Sequence, residues 1–320
     1  MSTSTPAIET IGFGRDYGST RALEALDLIV GSGTLVGLLG PNGAGKTTAL
    51  LLLATLLKPS RGSARICGYD LARDRAAIRR RLGIVFQEPS IDGLLTVQEN
   101  LRFAAGLMGL GGAAARRAVD EALERTGLVA RARQPARELS GGWRRLTDIA
   151  RATVHRPDIL ILDEPTVGLD PEHRERMWAL LDMERREYGA TILFSTHYLT
   201  EAESCDRVIL LAHGHVVAAN TPAALIAAVG DEVVEIEGPD AEWAAHALNR
   251  VATVHVTVRT ERGFRIGISG PRDELARTVG ATPRITRFAI RPATLEDVYF
   301  TRTQDAGGGP SAPTLIGTAG

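Results

Sequence analysis

Nine consecutive residues, Gly40-Pro41-Asn42-Gly43-Ala44-Gly45-Lys46-Thr47-Thr48, have the make-up of a loop that holds phosphate. Its glycines let the backbone curl until successive N–H groups point inward at oxygen atoms. The short apolar run Thr34–Leu39 before the loop reads as a buried strand, and Ala49–Leu57 after it as a buried helix. Strand, G-x-x-x-x-G-K-T, helix is the context in which this pattern cradles the phosphates of a nucleotide. The helix adds the positive end of its dipole, Lys46 would reach the terminal phosphates, and Thr47 would place its hydroxyl on Mg2+. Of 37 basic residues only Lys46 and Lys58 are lysines. A chain that uses arginine almost everywhere keeps a compact ammonium where a guanidinium would not fit.

Two further stretches extend this chemistry. Ile159-Leu-Ile-Leu162 reads as a buried strand that delivers Asp163 and Glu164 at its carboxyl edge. Asp163 would hold Mg2+, directly or through water, and Glu164 could polarise an attacking water as general base. Leu139-Ser140-Gly141-Gly142-Trp143 precedes a helix, with Ser140 as N-cap and the glycines exposing backbone N–H groups. That makes a second anion-binding helix start, or simply a capped loop. One nucleotide does not need two such starts, so the second would serve a phosphate held by a neighbouring subunit.

The elements that must position these residues follow an α/β pattern. Strands are expected at Ile8–Phe13, Ala25–Val30, Ser63–Cys67 and Leu82–Phe86, with a turn at Arg15–Gly18 and a basic helical piece at Asp74–Arg81. From Gln87 to about Thr153 the strand signal gives way to helical spacing at Asn100–Leu110, Ala114–Thr126 and Arg144–Thr153, an all-helical insertion. Apolar strands return at Asp158–Leu162, Thr191–Phe194 and Arg207–Leu211, with a helix at Glu172–Tyr188 between the first two and a strand at His215–Ala219. Beyond Asn220, strands at Val233–Glu237, Val254–Thr260, Phe264–Ser269 and Ile285–Ile290 alternate with helices at Ala241–Arg250 and Asp273–Val279. The β-α-β-β-α-β order suggests a small ferredoxin-like appendage.

Composition limits the function classes. Hydrophobic content of 44% and charged content of 23% are those of an ordinary globular protein. A net charge of −1 argues against a strongly basic nucleic-acid surface, and no nucleic-acid partner is expected. Cys67 and Cys205 make no metal or redox spacing. The N-terminus lacks a signal-peptide pattern and no apolar run is long enough to span a membrane, so the chain is expected in the cytoplasm.

Taken together, G-P-N-G-A-G-K-T-T, Gln87 after a strand, L-S-G-G, I-L-I-L-D-E, Gly168-Leu169-Asp170 and His197 resemble the nucleotide-binding subunit of an ABC transporter. The resemblance covers Ile8 to about Pro222, with the six elements in the family's order and spacing. It implies a P-loop NTPase fold of the ABC cassette type, a mixed α/β sheet core with a helical insertion. The expected domains are an ATP-binding domain at 1–222, with a helical subdomain at about 88–153, a small α+β extension at 223–303 and a disordered tail at 304–320. The resemblance also implies roles. Gly40 to Thr48 would bind ATP, Tyr17 would stack on adenine, and Gln87 would contact Mg2+ or water and report nucleotide to a partner. Ser140, Gly141 and Gly142 would close over the γ-phosphate held by another cassette, so that two cassettes sandwich two ATP molecules head to tail. Asp170 would lie at that seam, and His197 would hydrogen-bond the γ-phosphate and orient Glu164 and water. The position after Leu-Ser-Gly-Gly is usually Gln in the family and here is Trp143. No Asn-Lys-x-Asp motif is present, which favours ATP over GTP.

The resemblance implies an ATPase that dimerises with itself or a homologous subunit and serves separate integral membrane permease subunits from the cytoplasmic face. Arg291-Pro-Ala-Thr-Leu-Glu-Asp-Val-Tyr-Phe300 and Thr166–Pro171 resemble the bacterial drug-resistance (daunorubicin-resistance-like) branch, whose subunits power export of drugs, antibiotics or lipids. An importer's ATPase would differ only in its partner. A soluble family member acting on DNA or ribosomes usually carries a long coiled-coil insertion or two cassettes, and this sequence has neither.

Overall fold

Alternation of Leu26, Leu28 and Val30 buries one face of the first hairpin, in which β1 (Ile8–Tyr17) and β2 (Thr20–Val30) pair antiparallel. The computed structural model describes residues 5–305. Both strands outrun their apolar centres, because register shifts after Thr10 carry the pairing out to Tyr17 opposite Thr20. Arg15–Tyr17 therefore belongs to β1 rather than to the expected turn. Next come β3 (Leu35–Leu39), α1 (Lys46–Leu53), β4 (Arg61–Ile66), β5 (Tyr69–Asp70), α2 (Arg75–Arg79) and β6 (Leu82–Val85). β4 pairs antiparallel with β1 and carries β5 on its other side. The helix expected at Ala49–Leu57 starts and ends earlier: Lys46 already has helical backbone, and Thr55 takes a left-handed φ of 63° that stops it.

The insertion is helical as the spacing predicts. α3 (Val97–Leu107) starts on a reciprocal cap between Thr96 and Glu99. α4 (Gly112–Arg125), two single 3-10 turns and α5 (Gly141–Thr153) follow. Val97, Leu101, Val119, Leu123 and Leu128 give this segment an apolar cluster of its own. The chain then returns to the sheet with β7 (Ile159–Asp163), α6 (Pro171–Tyr188) and β8 (Thr191–Thr196).

The strands that matter for the site are parallel and run in the order β3-β8-β7-β6. Every residue of β3, β7 and β8 is buried, which is why they read as unbroken apolar runs. Their registers put Leu39 opposite Thr196, and Asp163 opposite Ser195. The carboxyl ends therefore stand side by side, the place where open α/β sheets bind ligands.

After β9 (Arg207–Ala212) and β10 (His215–Asn220), the chain continues with α7 (Pro222–Ala227), β11 (Glu232–Glu237), α8 (Ala241–Leu248), β12 (Thr253–Arg259), β13 (Gly263–Ser269), α9 (Arg272–Gly280), β14 (Arg287–Pro292) and α10 (Leu295–Asp305). β11 to β14 form an antiparallel sheet in the order β12-β13-β11-β14. α8 and α9 cover one face through Val234, Ile236, Ile266 and Ile268. Helices α7 and α10 have no counterpart in the sequence expectations. The tail expected from 304 loses its first two residues to α10, and 306–320 lies outside the described residues.

By compactness the chain forms two units. Among the described residues, one runs to His197 and takes in Leu211–Val216; the other comprises Tyr198–Leu210 and Val217–Asp305. This division differs from the expected boundary at 222, because the turn Leu199–Ala202 packs on α10. Among the described residues no helix is long and apolar enough to cross a membrane.

Candidate active site

The loop after β3 is pinned from behind. A side chain at Gly40, where φ is 155°, would meet the Leu211 carbonyl at 2.3 Å, and one at Gly45, where φ is 103°, would meet that of Ala22 at 2.6 Å. Ala44 accepts from the Gly214 backbone N–H at 3.1 Å, so the turn after β9 also clamps the loop. Pro41, Asn42 and Gly43 are exposed at its tip; Thr47 is exposed and Thr48 half-buried on the first turn of α1. Lys46 is only 5% exposed, and its Nζ donates to the Gly40 carbonyl at 2.8 Å and the Pro41 carbonyl at 3.1 Å. The buried ammonium thus folds back over the loop.

Lys46 also meets the end of β7. Its Nζ lies 3.5 Å from Glu164 Oε1, and Glu164 Oε2 lies 3.3 Å from His197 Nδ1. Glu164 has φ 45°, a conformation disfavoured for a residue with a Cβ. Ser195 at the end of β8 fixes it: the Glu164 N–H donates to Ser195 Oγ at 2.9 Å, while the same hydroxyl donates to Asp163 Oδ1. Lys46, Asp163, Glu164 and His197 therefore form one constellation. The Glu164 carboxylate has an ammonium beside one oxygen and an imidazole beside the other.

The set fits a nucleotide with a hard cation. Among the described residues no three His, Cys, Asp or Glu side chains converge as a metal cage. A single carboxylate and a hydroxyl completed by substrate oxygens and water is how Mg2+ is usually held.

Gln87 is exposed two residues after β6, and Tyr17 is 46% exposed with the Arg15 guanidinium 4.9 Å from its ring centroid. Ser140, Gly141 and Gly142 belong to a second group. Ser140 has N-cap backbone geometry, but its hydroxyl makes no cap hydrogen bond, so the expected side-chain cap is corrected: the first turn of α5 has no side-chain acceptor of its own. A Cβ at Gly142 would sit 2.3 Å from the His173 ring. Asp170 caps α6, accepting from the His173 N–H at 3.0 Å and approaching His173 Nδ1 at 2.7 Å. These bonds hold its carboxyl below the usual carboxylate range, the backbone one foremost. Trp143 stacks 3.7 Å from the Arg131 guanidinium and 5.4 Å from that of Arg176, with its edge against His173 at 5.1 Å. The residue in the unusual position is thus a packing element between α5 and α6.

Sequence reasoning missed three residues here. Ser195 hides inside an apolar strand, and His173 inside a charged helix. Arg145 is 4% exposed on α5, beside the buried Asp148. Burial pushes the Arg145 guanidinium down and the Asp148 carboxyl up from their ordinary values, and Arg151 Nε binds Asp148 at 2.9 Å. The available signal was two charges three residues apart on a face shared with Leu146 and Ile149.

Comparison with known proteins agrees with this geometry. Residues 23–167 match the model of the family described as ABC transporter. The chain is 37% identical to the daunorubicin/doxorubicin resistance ATP-binding protein DrrA of Streptomyces peucetius, covering 93% of each chain. It is 39% identical to the Nod factor export ATP-binding protein I of Burkholderia lata, over 90% of this chain and 93% of that one. Among solved structures it resembles the dimeric ATP-binding cassette MJ0796 in a post-hydrolysis state bound to ADP and Pi. That match has a TM-score of 0.62 and 29% identity, over 67% of this chain and 98% of that one.

Proposed function

We propose a transport role for this chain, which belongs to the ABC transporter family as an ATP-binding subunit and is an ATPase. Gly40 to Thr48 hold the phosphates of ATP through backbone N–H groups and the Lys46 ammonium, and Tyr17 stacks on adenine. Thr47, Asp163 and Gln87 hold Mg2+, which screens the phosphate charge when bound. Glu164 takes the proton of the attacking water while His197 orients it and the γ-phosphate. The observation that carries this reading is the Glu164 carboxylate held between Lys46 at 3.5 Å and His197 at 3.3 Å.

Two copies act head to tail. Ser140, Gly141 and Gly142 of one close over the phosphate held by the other, with Asp170 at the seam. The dimeric cassette similar to this chain supports that arrangement. The subunit works peripherally on the cytoplasmic face of the membrane, with a separate permease. An apolar groove of about 250 Å3, lined by Leu56, Leu82, Phe86, Ala104, Leu107 and Met108 and running up to the Gln87 segment, suits an apolar helix of that partner. The relatives' names support export of a drug or a Nod factor-like molecule over import.

Glu164→Gln tests the chemistry: it is expected to cut turnover to a small residual rate while ATP binding persists and a nucleotide-bound dimer accumulates on a sizing column. Normal hydrolysis by this variant would sink the general-base role. Affinity purification from membranes should bring down a multi-span protein; ribosomes or nucleic acid in its place would overturn the transport reading.

A further inference from the structure

The guanidinium of Arg145 spends all five of its N–H groups on main-chain carbonyls from two separate stretches of chain. Nε donates to Pro165 at 2.9 Å; Nη2 donates to Asp163 at 3.1 Å and Glu164 at 3.0 Å; Nη1 donates to Phe86 and, at 3.4 Å, to Gln87. Five donors in a fixed planar fork match five acceptors. The pattern is not that of an ion pair, since the closest carboxylate oxygen, on Asp148, stands 4.0 Å away.

We propose that Arg145 is a positioning residue for hydrolysis, which locks the backbone of the Phe86–Gln87 segment and of Asp163–Pro165 into one frame and so sets the aim of Glu164. The proposal rests on the reading of Glu164 as the base. Arg145 reaches no reacting atom; it acts through the peptide planes on either side of Glu164. Glu164 needs such support, because its φ of 45° persists only where neighbours over-determine it. Ser195 holds the N–H side of that residue and Arg145 the carbonyl side. The same guanidinium ties the Gln87 segment to the metal-side strand, so displacement of one displaces the other. Arg145 lies on the helix that begins at Gly141, so the segment offered to a second copy's nucleotide is rigidly joined to the chain's own hydrolytic residues.

Lysine has three N–H donors on a point charge and cannot serve five carbonyls, while glutamine brings a carbonyl into a ring of carbonyls. Arg145→Lys in the full chain is therefore expected to lower kcat about ten- to a hundredfold with ATP affinity, read with a fluorescent ATP analogue, nearly unchanged. A double-mutant cycle supplies the second readout. If Arg145 acts through Glu164, Arg145→Lys has no further effect on the residual turnover of the Glu164→Gln chain. Unchanged kcat, or a parallel loss of affinity and kcat, or an undiminished effect of Arg145→Lys in the Glu164→Gln background, would overturn the proposal. If Arg145→Lys does not fold, Arg145→Gln is read in the same way. Should Glu164→Gln itself turn over normally, the base assignment is what fails.

Discussion

Around Glu164 the chemistry depends on residues whose side chains never face the substrate. Ser195 is the clearest. Its hydroxyl accepts from the Glu164 N–H at 2.9 Å and donates to Asp163, so one oxygen serves both carboxylate-bearing residues. Ser195→Ala leaves the Glu164 N–H and the Asp163 oxygen short of a partner in a buried strand end, a loss of about 1–3 kcal/mol. Urea unfolding should show that loss, and kcat should fall with it; an unmoved urea midpoint would refute the role. The sequence made the phosphate loop legible because its residues are consecutive and their chemistry is local. Ser195 and Arg145 were illegible for the opposite reason: their partners come from the two residues after β6, the end of β7 and the turn after β7, and only strand register brings these together.

At the level of elements, the apolar strands announced themselves through unbroken burial, and the helical insertion through its spacing. Boundaries moved where backbone conformation outranked hydrophobicity, as at Lys46, which is polar yet begins α1. α7 carried a readable start in Thr221-Pro222, where the threonine side chain accepts from the Ala224 N–H at 3.2 Å. The contact between α5 and α6 was not readable, since it depends on a glycine that admits a ring. With the His173 ring 2.3 Å from where a Cβ would stand, Gly142→Ala forces α5 and α6 apart or drives the ring off Trp143. Overpacking of this kind destabilises by about 1–3 kcal/mol. Adding His173→Ala should restore most of that stability in urea unfolding, and a double variant no more stable than Gly142→Ala alone would show that the clash is not the cause.

On the scale of the whole molecule, stability has to be found twice, because each compact unit has its own core. The second unit joins α10 to its sheet with charges as well as apolar contacts. Asp297, 1% exposed, accepts twice from Arg291 at 2.7 Å and once each from the Thr294 N–H and hydroxyl, at 3.0 and 2.9 Å. Glu235 binds Arg291 at 3.0 Å and Arg265 at 3.1 Å, and Arg265 lies over Phe300. The sequence showed this stretch only as a family-like string from Arg291 to Phe300; its physical content is a helix start whose N3 carboxylate reaches back to a strand. Burial pushes the Asp297 carboxyl up, but the hydrogen bonds from Arg291 and Thr294 outweigh it and hold the carboxyl below its usual range. A folded value below the unfolded one adds stability above the ordinary carboxylate range, and that contribution is lost as pH falls through the folded value. Asp297→Asn is therefore expected to unfold the second unit about 2–4 kcal/mol more easily at neutral pH, since it strands two guanidiniums beside Glu235. The gap between parent and variant should narrow as the solution is acidified. ATP binding by the first unit should persist in the variant, so urea unfolding followed by circular dichroism at several pH values, alongside nucleotide binding, separates the two units. A gap that stays constant into the acid range would show that the Asp297 charge does not hold α10 in place.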